Sequence, residues 1–217
     1  IYYSKNNKNE LAKKYFLKAK EKSPKTILDN YLINSLYSWS DLKGKNIEEA
    51  ISDLQKLDER FSNLKKIQNA FLYSFFGHSD AENFFNDLTS ERKTDFSRYN
   101  YFYAKYLHSQ GKVQEAKKIL NSSLKKYPRN LLLNQYKLDL ENSENNFSFD
   151  FKKETHIIAE ILYVVANAFS SQSIYSVSNF YLNLSKYLNK DFHAFDTLMA
   201  ENFYNIDDFV NSKKIYK

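Results

Sequence analysis

Residues 99–128 read YNYFYAKYLHSQGKVQEAKKILNSSLKKYP. Ala116, Leu120 and Ser123 stand at offsets 0, +4 and +7, which fall on one stripe of an α-helix. A small residue at 0 lets a neighbouring backbone approach, and the large residue at +4 fills the space beside it. Pro128, twelve after Ala116, cannot continue a helix and turns the chain. Gly111, five before Ala116, supplies the left-handed conformation that a tight helix–helix turn requires. The stretch therefore predicts one helix, a glycine turn, a second helix and a proline stop.

The same pattern recurs outward in both directions. Ala12, Phe16 and Ala19 repeat it, with Pro24 again twelve after the small residue. Ala50, Leu54 and Leu57 fit without the proline, as do Ala81, Phe85 and Leu88. Ser178, Leu182 and Ser185 follow, then Ser212 and Tyr216. Ser178 to Ser212 is a step of 34 residues, the steps from Ala12 to Ala50, Ala81 and Ala116 are 38, 31 and 35, and the 62 from Ala116 to Ser178 leaves room for one repeat of altered form. All three glycines fall near the first turn of a pair, and both prolines fall at the other turn.

At this period and register the chain resembles the tetratricopeptide repeat family. The resemblance covers essentially the whole sequence and is strongest at Tyr99–Pro128 and Ile158–Tyr216; residues 156–217 look like bacterial members with closely spaced repeats. It implies an all-α fold, a right-handed α-solenoid of antiparallel helix pairs with about 12 helices. Second helices are expected near 8–22, 47–60, 79–89, 112–126, 173–188 and 207–217. First helices are expected near 26–41, 64–76, 95–110, 130–142, 156–171 and 191–205. Ser79-Asp-Ala-Glu82 reads as a capping box, and Asn46-Ile-Glu-Glu49 as a variant of one. The organisation expected is repeats over 1–142, an irregular connection over 143–154 and further repeats over 155–217. Glu141–Lys153 is polar with no helical stripe, which fits a tolerated insertion, a binding loop or a joint between two repeat blocks.

Composition supports helices. The 217 residues hold 18 Tyr and 18 Phe but only three Gly and two Pro, too few breakers for a many-stranded sandwich or barrel. The absence of Cys excludes disulfides and thiolate metal sites. The most apolar stretch, Ile157–Phe169, is too short to span a bilayer. The chain begins with Ile1 and reads as an internal piece of a longer protein, which leaves cytoplasmic and exported locations both open. Both ends stop inside a repeat; uncapped repeats expose an apolar face, so self-association is expected.

No catalytic constellation stands out. A glycine-rich phosphate loop, a Gly-x-Ser-x-Gly elbow and a His-Glu-x-x-His helix are all missing from the sequence. His156 and Glu160 are one turn apart, a spacing that serves a metal or a plain surface contact. Paired carboxylates such as Glu48–Glu49 and Asp207–Asp208 sit in first turns, where they complement the helix dipole. The formal charge is +6, but only Arg60, Arg92, Arg98 and Arg129 are Arg, the residue suited to phosphates and base edges. Nucleic acid is therefore an unfavoured partner, and neither cofactor nor metal is expected.

The reading is a non-catalytic scaffold that binds a protein or peptide. A helical-repeat RNA-binding protein and an accessory module of an enzyme are the alternatives. In the family the first helices line the concave face. Carried onto this chain, that register gives Arg98, Tyr101, Lys105 and His108, then Glu160, Tyr163, Asn167 and Ser170. It also gives Thr197, Glu201 and Tyr204, with Gln135 and Asp139 from the unusual repeat at 130–142. Lys105 and Arg98 only partly match the family's clamp for a C-terminal carboxylate. Most aromatics, among them Phe16, Phe85 and Tyr216, are expected in the core.

Overall fold

The computed structural model describes residues 1–23, 26–90, 96–142 and 148–216. Their regular structure is helical throughout. In chain order it comprises α1 (Tyr2–Lys5), α2 (Asn9–Lys22), α3 (Ile27–Ser40), α4 (Ile47–Gln55), α5 (Ser62–Phe76), α6 (Ala81–Ser90) and α7 (Ser97–Ser109). It continues with α8 (Val113–Lys126), α9 (Leu131–Glu141), α10 (Glu154–Ser170), α11 (Tyr175–Leu188), α12 (Ala194–Tyr204) and α13 (Phe209–Ile215). A single 3-10 turn, Glu59–Phe61, precedes α5. Every helix expected from the sequence is present, with ends shifted by a few residues.

The repeat stripe does the packing assigned to it. Ala12, Ala50, Ala81, Ala116, Ser178 and Ser212 are all buried. So are the large partners Phe16, Leu54, Phe85, Leu120 and Leu182. Tyr216 departs from the expectation: it is 60% exposed. It follows the last turn of the seven-residue α13, so it lacks the neighbour that covers the +4 position elsewhere. Ala19 is exposed as well, whereas its counterparts Ser123 and Ser185 are buried.

Turn geometry is equally regular. Gly44, Gly77 and Gly111 adopt φ of 81°, 72° and 76°. The remaining turns from a first to a second helix use Asn7, Ser173 and Asp207 at φ of 55°, 61° and 60°. These three each stand five residues before the small anchor, the register that Gly111 holds. Pro128 lies in the turn between α8 and α9, whereas Pro24 falls outside the described residues.

Helix starts follow local chemistry. At α4 the Asn46 side chain accepts from the Glu49 amide at 2.9 Å, and the Asn46 amide donates to Glu49 Oε2 at 3.1 Å, the reciprocal box expected. Thr26 and Asp29 form a second box at α3. The box expected at Ser79 is displaced: α6 begins at Ala81, and the Asp80 amide donates to His78 Nδ1 at 3.2 Å. α4 ends at Gln55 rather than near 60, because Asp58 caps the 3-10 turn through the Arg60 amide at 2.9 Å.

Two compact units emerge. Ile1–Leu57 joins Ser148–Lys217 in one, and Asp58–Phe147 forms the other. In the first unit α3 packs on α10 as well as on α2, while α10 pairs closely with α11 and α12 with α13. Two side-chain bonds stitch the same join. Lys5 Nζ donates to the Leu188 carbonyl at 2.9 Å, and Asn9 Nδ2 donates to Glu154 Oε2 at 2.9 Å across 145 residues of sequence. The second unit stacks α5 on α6, α6 on α7, α7 on α8 and α8 on α9, with α9 also touching α7.

Part of the expected connection is built into the first unit. Residues 143–147 fall outside the described residues. Residues 148–153 are irregular, as anticipated, but are not merely a solvated insertion. Phe149 and Phe151 are buried, and the Phe149 ring lies 5.3 Å from Phe151, 5.6 Å from Phe192 and 5.9 Å from His156. Asn189 Nδ2 donates to the Ser148 carbonyl at 2.8 Å, and the Asp150 amide donates to His156 Nδ1 at 3.0 Å. The segment is an aromatic plug whose polar backbone is satisfied by side chains.

Candidate functional site

In the second unit, α9 is set against α7 by its own cap. Asn130 Oδ1 accepts from the Leu133 amide at 3.0 Å, and its Nδ2 donates to Ser97 Oγ at 3.1 Å. One residue thus starts α9 and ties it to the start of α7. Asn134 Nδ2 adds bonds to the carbonyls of Pro128 and Asn130 at 3.0 and 2.9 Å.

That docking gathers three of the expected residues, Tyr101, Lys105 and His108, around one they did not include. Tyr136 is buried, its ring edge-on to Tyr101 at 5.1 Å. Its hydroxyl shares a hydrogen bond with His108 Nδ1 at 3.0 Å, and Lys105 Nζ lies 5.3 Å from its ring centre. Gln135 Nε2 donates to Asp139 Oδ1 at 2.7 Å on the same helix. Arg98 sits over the Phe102 ring at 5.8 Å. Cations held over aromatic faces in this way are stabilised by the ring quadrupole.

Burial tunes the group. It raises the Tyr136 phenol well above its ordinary range, with Tyr101 and Asp139 adding to the effect. Burial also lowers the His108 imidazole, and the Lys105 charge lowers it further. Both act against charge, so the hydrogen bond joins two neutral groups at neutral pH.

Accessibility divides the expected residues. Tyr101 is 1% exposed and Lys105 8%, so Tyr101 is corrected from a partner contact to a core ring. It turns inward because α9 covers its face of α7. Asp139 is buried too. Arg98 and His108 are half-buried and Gln135 is exposed; these three keep surface a partner can reach.

The first unit carries the other expected residues. On α10, Tyr163 is half-buried with its ring 5.7 Å from Phe195, and Asn167 is exposed. Glu160 is buried and offers no surface. On α12, Glu201 and Tyr204 are exposed, the Tyr204 ring 5.3 Å from Phe209. Between them lies Asn202, fully buried, which the sequence register did not single out. Its Nδ2 donates to Ser178 Oγ and Asn179 Oδ1, both at 2.8 Å, and its Oδ1 accepts from Ser170 Oγ at 2.5 Å. Ser170, expected in the groove, instead serves this network.

Among the described residues no group of three or more His, Asp or Glu side chains is placed to hold a metal. The His156–Glu160 pair is buried, and His156 Nδ1 already accepts from Asp150. Among the same residues no helix is long and apolar enough to cross a membrane.

Comparison with known proteins agrees with the repeat at one place. A family model described as Tetratricopeptide repeat matches residues 103–130. These residues run from the middle of α7 through α8 to the start of α9. Neither the curated proteins nor the solved structures give a match. The other helix pairs share the register of this matched copy, and the regular structure of the described residues is all-α.

Proposed function

We propose that this chain is a non-catalytic scaffold that binds a protein or peptide along the first helices of its repeats. Tetratricopeptide repeats mediate protein–protein interactions, and the chain carries one at 103–130. The observation that carries the reading is the α7–α9 cluster. Tyr101, Lys105 and Tyr136 form a fixed, desolvated base, and the half-buried Arg98 and His108 and the exposed Gln135 are the residues of α7 and α9 that keep accessible surface. A rigid aromatic floor with a few polar groups at its margin suits capture of a peptide, because little side-chain entropy is lost on binding. Tyr163 and Asn167 on α10, with Glu201 and Tyr204 on α12, are a second set of candidate contacts within the first unit.

The test is affinity capture with quantitative mass spectrometry, using the wild-type chain and Arg98→Ala/His108→Ala/Gln135→Ala. These three residues are not core, so the variant should retain its helical circular dichroism. Partners recovered by the wild type are expected to fall about tenfold or more, as removal of an interface anchor costs ~1–2 kcal/mol or more. Unchanged recovery of every partner would remove the α7–α9 face from consideration.

A further inference from the structure

The chain's positive charge is not spread evenly. Residues 1–22 hold seven Lys and two Glu, so a formal +5 of the total +6 rides on α1, α2 and the turn between them. Only part of it is committed to structure. Lys13 pairs with Asp41 at 2.6 Å and Glu10 at 2.8 Å, and Lys5 bonds the Leu188 carbonyl. The ammonium groups of Lys8, Lys14, Lys20 and Lys22 make no ion pair or hydrogen bond among the described residues.

α2 buries one narrow face, Ala12 and Phe16. On a flank of the helix beside that face stand Leu11, Tyr15, Lys18 and Lys22, preceded by the N-cap residue Lys8, all exposed. Their steps are 3, 4, 3 and 4 residues, the spacing that keeps side chains on one seam of a helix. The seam has an apolar centre, with Leu11 40% and Tyr15 50% exposed, and cationic ends. Tyr15 is held rather than loose. Its ring stacks on Tyr3 at 5.2 Å, and Lys18 Nζ lies 5.4 Å from its centre.

We propose that this outward seam of α2 docks an acidic amphipathic helix of a partner protein, its apolar residues on Leu11 and Tyr15 and its carboxylates on Lys8, Lys18 and Lys22. Charge complementarity selects the sign of the partner, and the 3-4 spacing selects its form, since such a seam interdigitates with another helix. RNA fits less well. Residues 1–22 hold no Arg to fork onto phosphate or base edges, and the centre of the seam is apolar. A bilayer also fits less well, because two apolar side chains bury too little area to anchor an interfacial helix.

The experiment titrates three probes against the full chain. They are a fluorescein-labelled peptide with leucines at 3-4 spacing bracketed by glutamates, phosphatidylcholine–phosphatidylserine vesicles, and oligouridine. The chain is used as wild type, as Lys8→Glu/Lys18→Glu/Lys22→Glu and as Leu11→Ser/Tyr15→Ser. All five positions are exposed, and circular dichroism verifies the folds. The expected result is peptide binding that weakens with salt and falls about tenfold or more in each variant. Loss in the charge variant with none in the Leu11/Tyr15 variant would overturn helix docking in favour of bare electrostatics. Absence of peptide binding, or binding of vesicles or oligouridine in its place, would overturn the proposal outright.

Discussion

The α7–α8 pair and the α10–α11 pair solve one packing problem with different materials. The buried face of α7 is aromatic: Tyr99, Tyr101, Phe102, Tyr103 and Tyr106. That of α10 is aliphatic: Ile157, Ile158, Ile161, Leu162 and Val165. The second helices match almost position for position, with Ala116, Leu120 and Ser123 against Ser178, Leu182 and Ser185, all buried. The register therefore resides in the small–large stripe of the second helix, and the first helix takes whatever bulk its neighbours demand. Polar groups follow the same divide. Around α7 they gather on the Tyr136 ring, whereas beside α10 they gather on the Asn202 amide.

The comparison breaks most readily at the core. Phe102 is fully buried, edge-on to Phe71 at 5.0 Å. Phe102→Ala is expected to cost about 3–5 kcal/mol in urea denaturation followed by circular dichroism. Ile161→Val in α10 removes a single methylene and should cost about 1 kcal/mol. An Ile161→Val cost equal to that of Phe102→Ala would mean that the aliphatic helix is the less forgiving of the two.

Acid separates the regions next. His156 is lowered from 6.5 to about 4, chiefly by burial, with Lys153 and Lys5 contributing and Asp150 and Asp191 opposing. A histidine depressed in the folded state takes up its proton on unfolding. Its contribution is intact above pH ~6.5, erodes as pH falls towards ~4 and reaches roughly 3 kcal/mol in total. Trp39, the sole tryptophan, is buried in α3, which packs on α10. Its fluorescence should report a falling denaturation midpoint through that window. His156→Gln retains an acceptor for the Asp150 amide and should flatten the dependence. A wild-type midpoint that holds steady from pH 6.5 to 4 would show that His156 is not buried as described.

The smallest effects lie in the turns. Gly111 has open space where a Cβ would stand, so Gly111→Ala tests the backbone alone and should cost about 1 kcal/mol. Ser173 holds the corresponding left-handed position in the other pair. Ser173→Gly should gain about 0.5 kcal/mol, the relief of strain exceeding the added freedom of the unfolded chain. Thermal denaturation of the two variants would show shifts of opposite sign; shifts of like sign would break the equivalence of the turns.

These contrasts also mark what was legible in the sequence. Helix positions were, because each depends on a stripe within fourteen residues and on a local breaker. The α7 face was partly legible, since Ala116 pins its register. Tyr101 was misassigned because whether it faces out depends on α9, and α9 has no small anchor following it to set its own register. The reading there chose Gln135 and Asp139 and passed over Tyr136, one residue from the first. Nothing local announces that Asn9 meets Glu154 or that α3 lies on α10. Phe149 and Phe151 sit in a polar run, and only their distant partner Phe192 makes them a plug.

Among the described residues a left-handed residue stands in each of the six turns joining a first helix to a second, yet glycine fills only three of them. Asn, Ser and Asp give the same bend with different letters, so the copies diverge as text while agreeing as geometry. Residues 103–130 contain Gly111 and also reach Pro128, and this is the copy that the family comparison matches. Repeats counted by spelling will be undercounted in chains of this kind. The sign of one dihedral angle per turn is the more complete index, and it can be read wherever backbone coordinates exist.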